Sequence, residues 1–178
     1  MRKLFLALVL IFIVGSISAQ EQLGENFIKK DNTIIWQKVY EYPESDSILV
    51  KNHFYKNNKF AYNGEIGSVY PTLKEYSSFE FSQRPSYFND RSKICFIVQI
   101  KKNRYRVTVQ TIDPLDTFIQ GNRSKSNEDA KYLNDFLASY IKRNGDIKTV
   151  FLNSYHAINE ALSNLFEYKS KLVLDDDF

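Results

Sequence analysis

The stretch "KICFIVQIKKNRYRVTVQTI", residues 93–112, has the clearest alternation of apolar and polar residues in the chain. Apolar and polar residues alternate on both sides of Lys102-Asn103, as they do in strands that bury one face. A tight turn at those two residues sets a register in which Val98 lies opposite Val107 on an apolar face. One register explains both strands, so the stretch predicts an antiparallel β-hairpin with one buried face.

The other face of this hairpin is predicted to be polar. The register pairs Gln99 with Arg106 and, further from the turn, Cys95 with Gln110. The basic cluster in "KKNRYR" (101–106) then belongs to a solvated strand face that meets a lysine-rich turn. Nucleic-acid binding requires a dominant basic surface that contacts several phosphates. We therefore expect no nucleic-acid partner, and the alternative partners of this basic cluster are anionic glycans or lipids of the envelope.

The N-terminal residues 1–20, "MRKLFLALVLIFIVGSISAQ", are arranged as a secretory signal peptide. Arg2 and Lys3 form a charged start, Leu4–Val14 forms an apolar run, and a small-residue cleavage motif ends at Ala19. The apolar run has eleven residues, whereas a membrane-spanning helix needs about 20. The pattern predicts export to the periplasm or the exterior, with no transmembrane span after cleavage.

Cleavage after Ala19 leaves 159 of the 178 residues, which is the size of one domain. Loss of Arg2 and Lys3 reduces the basic residues from 24 to 22 against 21 acidic residues, so the net charge falls from +3 to about +1. Cys95 is the only cysteine, which excludes an intramolecular disulfide. An exported domain without disulfides fits a bacterial envelope protein.

The remaining chain is predicted to form one α+β domain. Residues 20–32 are polar and predict a loose leader, and the domain spans 33–170, with a sheet region over 33–112 and a helical hairpin over 126–170. An acidic tail follows over 171–178. The helical pair rests on a change of apolar period from 2 to 3.6. The first helix would end at Asn144-Gly145, and the second has an apolar stripe of Ile147, Val150, Phe151, Ser154, Ile158, Ala161, Leu162 and Leu165.

Two segments allow more than one reading. The residues of Ser45–Asn57 fit a helix with Leu49, Val50, His53 and Phe54 on one face, and they also fit a strand; we favour the helix. Residues 54–88 contain ten aromatic side chains, which would fill a sheet core or form an exposed surface for a partner. The candidates for that partner surface are Tyr62, Tyr70, Tyr76, Phe79, Phe81 and Tyr87.

Patterns of known chemistry are missing from the sequence. The two histidines, His53 and His156, lack the spacing of a zinc site, and no thiol-pair, phosphate-loop or serine-hydrolase motif occurs. His156 is predicted to lie on the exposed side of the second helix. We expect no catalytic, cofactor-binding or metal-binding residues and no cofactor. The enzymatic alternative is a small secreted hydrolase with a carboxylate pair, for which Glu75 and Glu80 are the candidates.

The chain resembles a family of secreted bacterial domains of unknown function. The resemblance covers residues 33–112 and rests on Trp36, Tyr40 and the stretch Lys101–Ile112. In that family a glycine often occupies the turn that Asn103-Arg104 occupies here. The resemblance implies a TATA-binding-protein-like fold, which is a curved antiparallel sheet with helices on one face, and it brings no catalytic residues.

The sequence thus favours a secreted or periplasmic protein that is not an enzyme. Export, balanced charge and the aromatic-rich region point to a binding or assembly module of the bacterial envelope. Its partner would be another envelope protein, a peptide or a glycan. A small secreted hydrolase is the alternative.

Overall fold

One antiparallel sheet of seven strands, in the order β1-β2-β3-β7-β6-β5-β4, organises the structure. The computed structural model describes residues 21–30, 32–80, 86–114 and 137–169. The strands are β1 (Glu21–Gly24), β2 (Phe27–Lys30), β3 (Thr33–Glu41), β4 (Phe60–Tyr62), β5 (Ile66–Val69), β6 (Ser92–Lys101) and β7 (Arg104–Pro114). The helices are α1 (Ser47–Tyr55) and α2 (Thr149–Phe166), and 3-10 turns lie at Glu44–Asp46, Leu73–Tyr76, Ser86–Asn89 and Ala138–Tyr140.

The predicted hairpin is β6 and β7, and its register is confirmed from the turn as far as the pair of Phe96 and Val109. Val98 pairs with Val107, and Gln99 pairs with Arg106. Asn103 adopts a φ of 63° in the two-residue turn, a left-handed conformation that asparagine accepts more readily than most residues. The turn therefore fixes which side chains of both strands face the core.

The predicted pairing of Cys95 with Gln110 is wrong. The ladder shifts between Cys95 and Phe96, so that Cys95 pairs with Thr111 and Phe96 pairs with Val109. Gln110 is the extra residue of a β-bulge, in which two residues of one strand oppose one residue of the other. The bulge keeps the apolar residues of the hairpin on one face beyond this point.

Residues predicted as a loose leader contain the first two strands of the sheet. Phe27 of β2 pairs with Trp36 of β3, and Ile28 pairs with Ile35. Phe27 is fully buried, and its ring lies edge-on to Phe151 of α2 with 5.2 Å between the ring centroids. These contacts join distant parts of the chain, so the local sequence does not indicate them.

Helix α2 packs on the face of the sheet that carries the buried side chains. The hydroxyl of Tyr40 on β3 donates a hydrogen bond to the carbonyl of Ser163 at 2.9 Å, and the hydroxyl of Tyr105 on β7 donates to the carbonyl of Phe166 at 2.8 Å. The rings of Trp36 and Phe166 stack with 6.1 Å between their centroids. The strands and the helix are therefore joined by aromatic packing and by hydrogen bonds.

Helix α1 packs on the same face of the sheet. Phe54 contacts Phe96 of β6 and Tyr105 of β7, with ring centroids 6.4 Å and 5.5 Å apart. Val50 and Phe54 are fully buried, whereas Leu49 is 52% exposed. The helical reading of this segment is confirmed. Together with the seven-stranded sheet and α2, it confirms the predicted α+β class.

The first predicted C-terminal helix differs from the structure where the two can be compared. Residues 126–136 lie outside the described residues. The described chain resumes at Leu137, and a 3-10 turn over Ala138–Tyr140 leads to Ile141, which is extended and pairs with Ile147. Asn144-Gly145 lies in the intervening turn, with Gly145 at a φ of 86°. Asn-Gly is also a strong signal for a tight hairpin, and that role prevails over helix termination here.

Helix α2 begins at Thr149 rather than at the predicted Ile147. Phe151, Ile158 and Leu162 of the predicted stripe are fully buried, but Val150 is 61% exposed. In the described ranges no helix is both long enough and apolar enough to span a bilayer.

Candidate binding face of the sheet

The face of the sheet opposite α1 and α2, called the outer face below, contains no buried side chain among the described residues. The ladder pairs align its side chains in cross-strand rows, because paired residues of antiparallel strands point to the same side. The outer face includes Ile28, Ile35, Gln37, Val39, Glu41, Ala61, Ile66, Ser68, Cys95, Ile97, Gln99, Lys101, Arg104, Arg106, Thr108 and Thr111.

Polar side chains bridge the central strands of the outer face. The Nε2 of Gln37 donates a hydrogen bond to the Oγ1 of Thr108 at 2.9 Å. In the next row the Nε of Arg106 donates to the Oε1 of Gln99 at 3.0 Å, and the Nη2 of Arg106 donates to the same oxygen. The guanidinium of Arg106 is therefore held in a defined position across β6 and β7.

Apolar side chains interrupt these polar rows. Val39 lies beside Arg106 and is 53% exposed, and Ile66 on β5 is 52% exposed. Ile97 pairs with Ile66 and is half-buried. The solvated face of an antiparallel sheet is usually polar, so these three side chains offer a partner apolar surface that the chain's own core leaves uncovered.

A basic cleft lies where the outer face meets the turn between β6 and β7. Its volume is about 230 Å³, and it is lined by Val39, Gln99, Lys101, Arg104, Tyr105 and Arg106. Within the described part of the chain, none of its three basic side chains forms an ion pair. The neighbouring Lys102 does so, with 2.9 Å between its Nζ and the Oε1 of Glu44.

The aromatic residues predicted as a partner surface are divided between core and surface. The ring of Tyr62 stacks on Phe96 with 6.2 Å between centroids, and Tyr76 and Phe79 also pack against the core. Tyr70 is 42% exposed. Phe81 lies outside the described residues, as does the side chain of Tyr87.

Burial raises the pKa of Tyr62 to about 12, with smaller contributions from Tyr55 and Glu65. The hydroxyl of Tyr62 therefore stays protonated at neutral pH.

The carboxylates proposed for a hydrolase, Glu75 and Glu80, are both exposed. A different carboxylate, that of Glu160 on α2, binds this part of the chain. It accepts hydrogen bonds from the backbone N–H of Ser78 at 2.8 Å and from the Ser78 hydroxyl at 2.6 Å. The hydroxyl of Ser77 donates a third hydrogen bond to it at 2.9 Å. Burial raises the pKa of Glu160, but these hydrogen bonds outweigh it and lower the pKa overall. Glu160 therefore anchors the loop to α2.

His156 is exposed, as predicted, but it belongs to a polar network that the sequence did not indicate. The Oε1 of Glu25 lies 2.9 Å from its Nδ1, and the Oε2 of Glu25 accepts a hydrogen bond from Asn159. The Oδ1 of Asn159 accepts hydrogen bonds from the Nε1 of Trp36 at 2.8 Å and from the Nδ2 of Asn26 at 2.7 Å. The network fastens the turn between β1 and β2 to α2.

A pair of carboxylate and imidazole is also found in hydrolases, where the imidazole activates a nucleophile. Such chemistry requires a hydroxyl or a thiol beside the second imidazole nitrogen. In the described ranges no hydrogen bond to the Nε2 of His156 is formed. The contact of Glu25 with His156 joins the turn between β1 and β2 to α2.

His53 lies in an aromatic environment beside the core. Its ring centroid lies 5.5 Å from that of Phe60 and 5.8 Å from that of Tyr168. Burial lowers the pKa of His53, and the charge of Lys59 lowers it further. The imidazole is therefore neutral at neutral pH and acts as a packing residue.

Metal-binding groups are not assembled in the parts of the chain that the structure covers: no three His, Cys, Asp or Glu side chains lie close enough to hold an ion. Cys95 is half-buried on the outer face between Ser68 and Thr111.

No family model matches the chain, and neither the curated proteins nor the solved structures contain a match to it. The function must therefore be argued from the site itself.

Proposed function

We propose that the protein is an exported, non-catalytic binding or assembly module of the bacterial envelope, whose outer face receives the partner. The observation that supports this most is the composition of that face. Val39 pairs with Arg106 in one row of the outer face, Arg104 lies in the row on one side of it, and Ile66 lies in the row on the other side. Both Val39 and Ile66 are exposed. Apolar side chains supply contact area when they are buried in an interface, and the arginines supply charge-assisted hydrogen bonds.

The partner is a protein or peptide of the envelope rather than a glycan. Glycan sites rely on exposed aromatic rings, and most of the described rings between residues 54 and 88 are buried or pack against the core. The outer face instead combines aliphatic side chains, amides and arginines. Arginine is enriched in protein interfaces, and aliphatic contacts fill the spaces between polar groups there.

Export is part of the same proposal. The first described strand begins at Glu21, two residues after Ala19, so removal of residues 1–19 would leave every described strand in the chain. The resemblance to secreted bacterial domains of unknown function and the sheet curvature that it implies also belong to the proposal.

Thiol labelling in the exporting bacterium tests the proposed function. Val39→Cys and Leu152→Cys, each combined with Cys95→Ser, place single thiols at positions of similar native exposure, 53% and 49%. Val39 is on the outer face, and Leu152 is on α2. We expect maleimide to label the thiol at position 39 at least fivefold more slowly in cells than in the purified protein, because the partner covers it. The thiol at position 152 should react equally in both.

Equal labelling of both thiols in cells and in the purified protein would contradict the proposal. Protection of position 152 alone would place the interface on the helical side of the molecule instead. Circular dichroism of both purified variants provides the control for folding.

A further inference from the structure

We propose that the basic cleft at the end of the outer face receives a carboxylate carried by a side chain of the peptide partner, and that Arg106 binds it directly. This inference rests on the proposed function and names the chemistry of its partner. The group that sets the geometry is the pair formed by Arg106 and Gln99.

The donors of Arg106 are divided between Gln99 and the cleft. A guanidinium carries five N–H donors. The Oε1 of Gln99 accepts two of them, from Nε and from Nη2. Of the remaining three, one on Nη1 and one on Nη2 form the end-on fork that binds the two oxygens of a carboxylate. Gln99 therefore holds the fork in place before a ligand arrives, which reduces the entropic cost of binding.

The charges around the cleft favour an anion. Lys101 and Arg104 pair with each other across the hairpin, one row from Arg106, and both are exposed. Glu41 pairs with Arg104 on the other side. Among the described residues Glu41 forms no ion pair with Arg104, so it offsets only part of the positive charge at the rim.

The size and the wall of the cleft fit one acidic residue of an extended chain. Its volume of about 230 Å³ is below the roughly 300–1,000 Å³ of sites that enclose a whole small molecule. Val39 forms an apolar wall, which suits the methylene groups of a glutamate. The rest of such a chain would lie along Ile97 and Ile66, in the adjoining row.

Nuclear magnetic resonance of the ¹⁵N-labelled mature protein tests this inference. The probes are acetyl-Val-Glu-Val-Glu-Val-amide, its glutamine analogue and inorganic phosphate. We expect the acidic peptide to shift the backbone amides of β6 and β7 near Arg106 saturably, and we expect the glutamine analogue to bind at least tenfold more weakly. Arg106→Gln should weaken binding of the acidic peptide at least tenfold.

Two further variants separate the site from a general effect of charge. Arg91→Gln removes an arginine that lies over the ring of Tyr70, away from the cleft, and should change the affinity less than twofold. Gln99→Leu keeps every charge but releases the guanidinium of Arg106, so we expect a loss of about threefold to fivefold. Thermal denaturation of each variant should match that of the wild type.

The inference is overturned if the acidic peptide causes no saturable shifts, or if its glutamine analogue binds equally well. It is also overturned if Arg91→Gln and Arg106→Gln weaken binding equally, or if phosphate binds as tightly as the peptide. Failure here, with position 39 still protected in cells, would leave the binding function standing with a different ligand chemistry. If the thiol at position 39 reacted with maleimide as fast in cells as in the purified protein, the proposed function itself would be contradicted.

Discussion

Val109→Asp should leave the protein unfolded at 25 °C. Val109 is fully buried at the centre of the sheet, where it pairs with Trp36 on one side and Phe96 on the other. Both direct partners are aromatic, and Lys38, in the next row of the same face, lies over the ring of Tyr40. An aspartate at position 109 would be a buried charge without a direct partner, which costs several kcal/mol. That cost is comparable with the roughly 5–15 kcal/mol by which small domains are stable.

The neighbouring position provides the control. Thr108 lies on the outer face and is half-buried, and an aspartate there could still accept the hydrogen bond from Gln37. We expect Thr108→Asp to change the free energy of unfolding by less than about 1 kcal/mol, near the range of ordinary surface substitutions. Far-ultraviolet circular dichroism and urea titration measure both variants. A folded Val109→Asp with an unfolded Thr108→Asp would mean that the two faces are reversed.

Leu162→Ala should reduce the free energy of unfolding by about 2–5 kcal/mol, the range found for truncated core leucines. Leu162 is fully buried on the side of α2 that packs on the sheet. Alanine removes apolar contact and leaves a cavity, while the helical conformation of the backbone remains favourable.

Leu152→Ala provides the comparison within the same helix. Leu152 is 49% exposed, so we expect this substitution to stay within about 0.5 kcal/mol of the wild type. Urea denaturation followed by circular dichroism gives both values. Equal losses at the two positions would contradict the orientation of α2 on the sheet.

The elements that the sequence predicted well are those with local pairing. In the hairpin of β6 and β7 the turn at Asn103 brings both strands together, so alternation along each strand could be checked against the other. Helix α1 was identified by the spacing of Val50, His53 and Phe54, although Leu49 of the same predicted face is exposed. The bulge at Gln110 has one trace in the sequence, because the apolar positions of β7 step by two up to Val109 and then by three to Ile112. The predicted register continued the period of two through this point and therefore missed the bulge.

The elements that the sequence missed depend on distant partners. Strand β2 is short, and its Phe27 is placed by Trp36 and by Phe151 of α2. The network of Glu25 and His156 joins a turn to a helix in the same way. Neither segment carries a periodic pattern of its own, so tertiary contacts decide their conformations.

The candidate site was visible from the sequence only in part. The polar face with Arg104 and Arg106 followed from the register of the hairpin. The cleft required Val39, which is brought beside Arg106 by the pairing of β3 with β7, and that pairing joins segments far apart in the chain. The aromatic residues were ambiguous because tyrosine and phenylalanine suit both a core and an interface.

The claim that the outer face lies outside the protein's own core is tested most directly by the unfolding free energies of two matched double variants. Val39→Thr with Ile66→Thr changes exposed residues of the outer face, and Val69→Thr with Val109→Thr changes buried residues of the opposite face. Threonine preserves the preference for strand conformation in both. In urea titrations we expect the first variant to lose less than about 1 kcal/mol and the second to lose about 2–6 kcal/mol, because each buried hydroxyl costs roughly 1–3 kcal/mol. Equal losses would mean that the outer face is also packed by the chain itself, and they would contradict its role as a binding face.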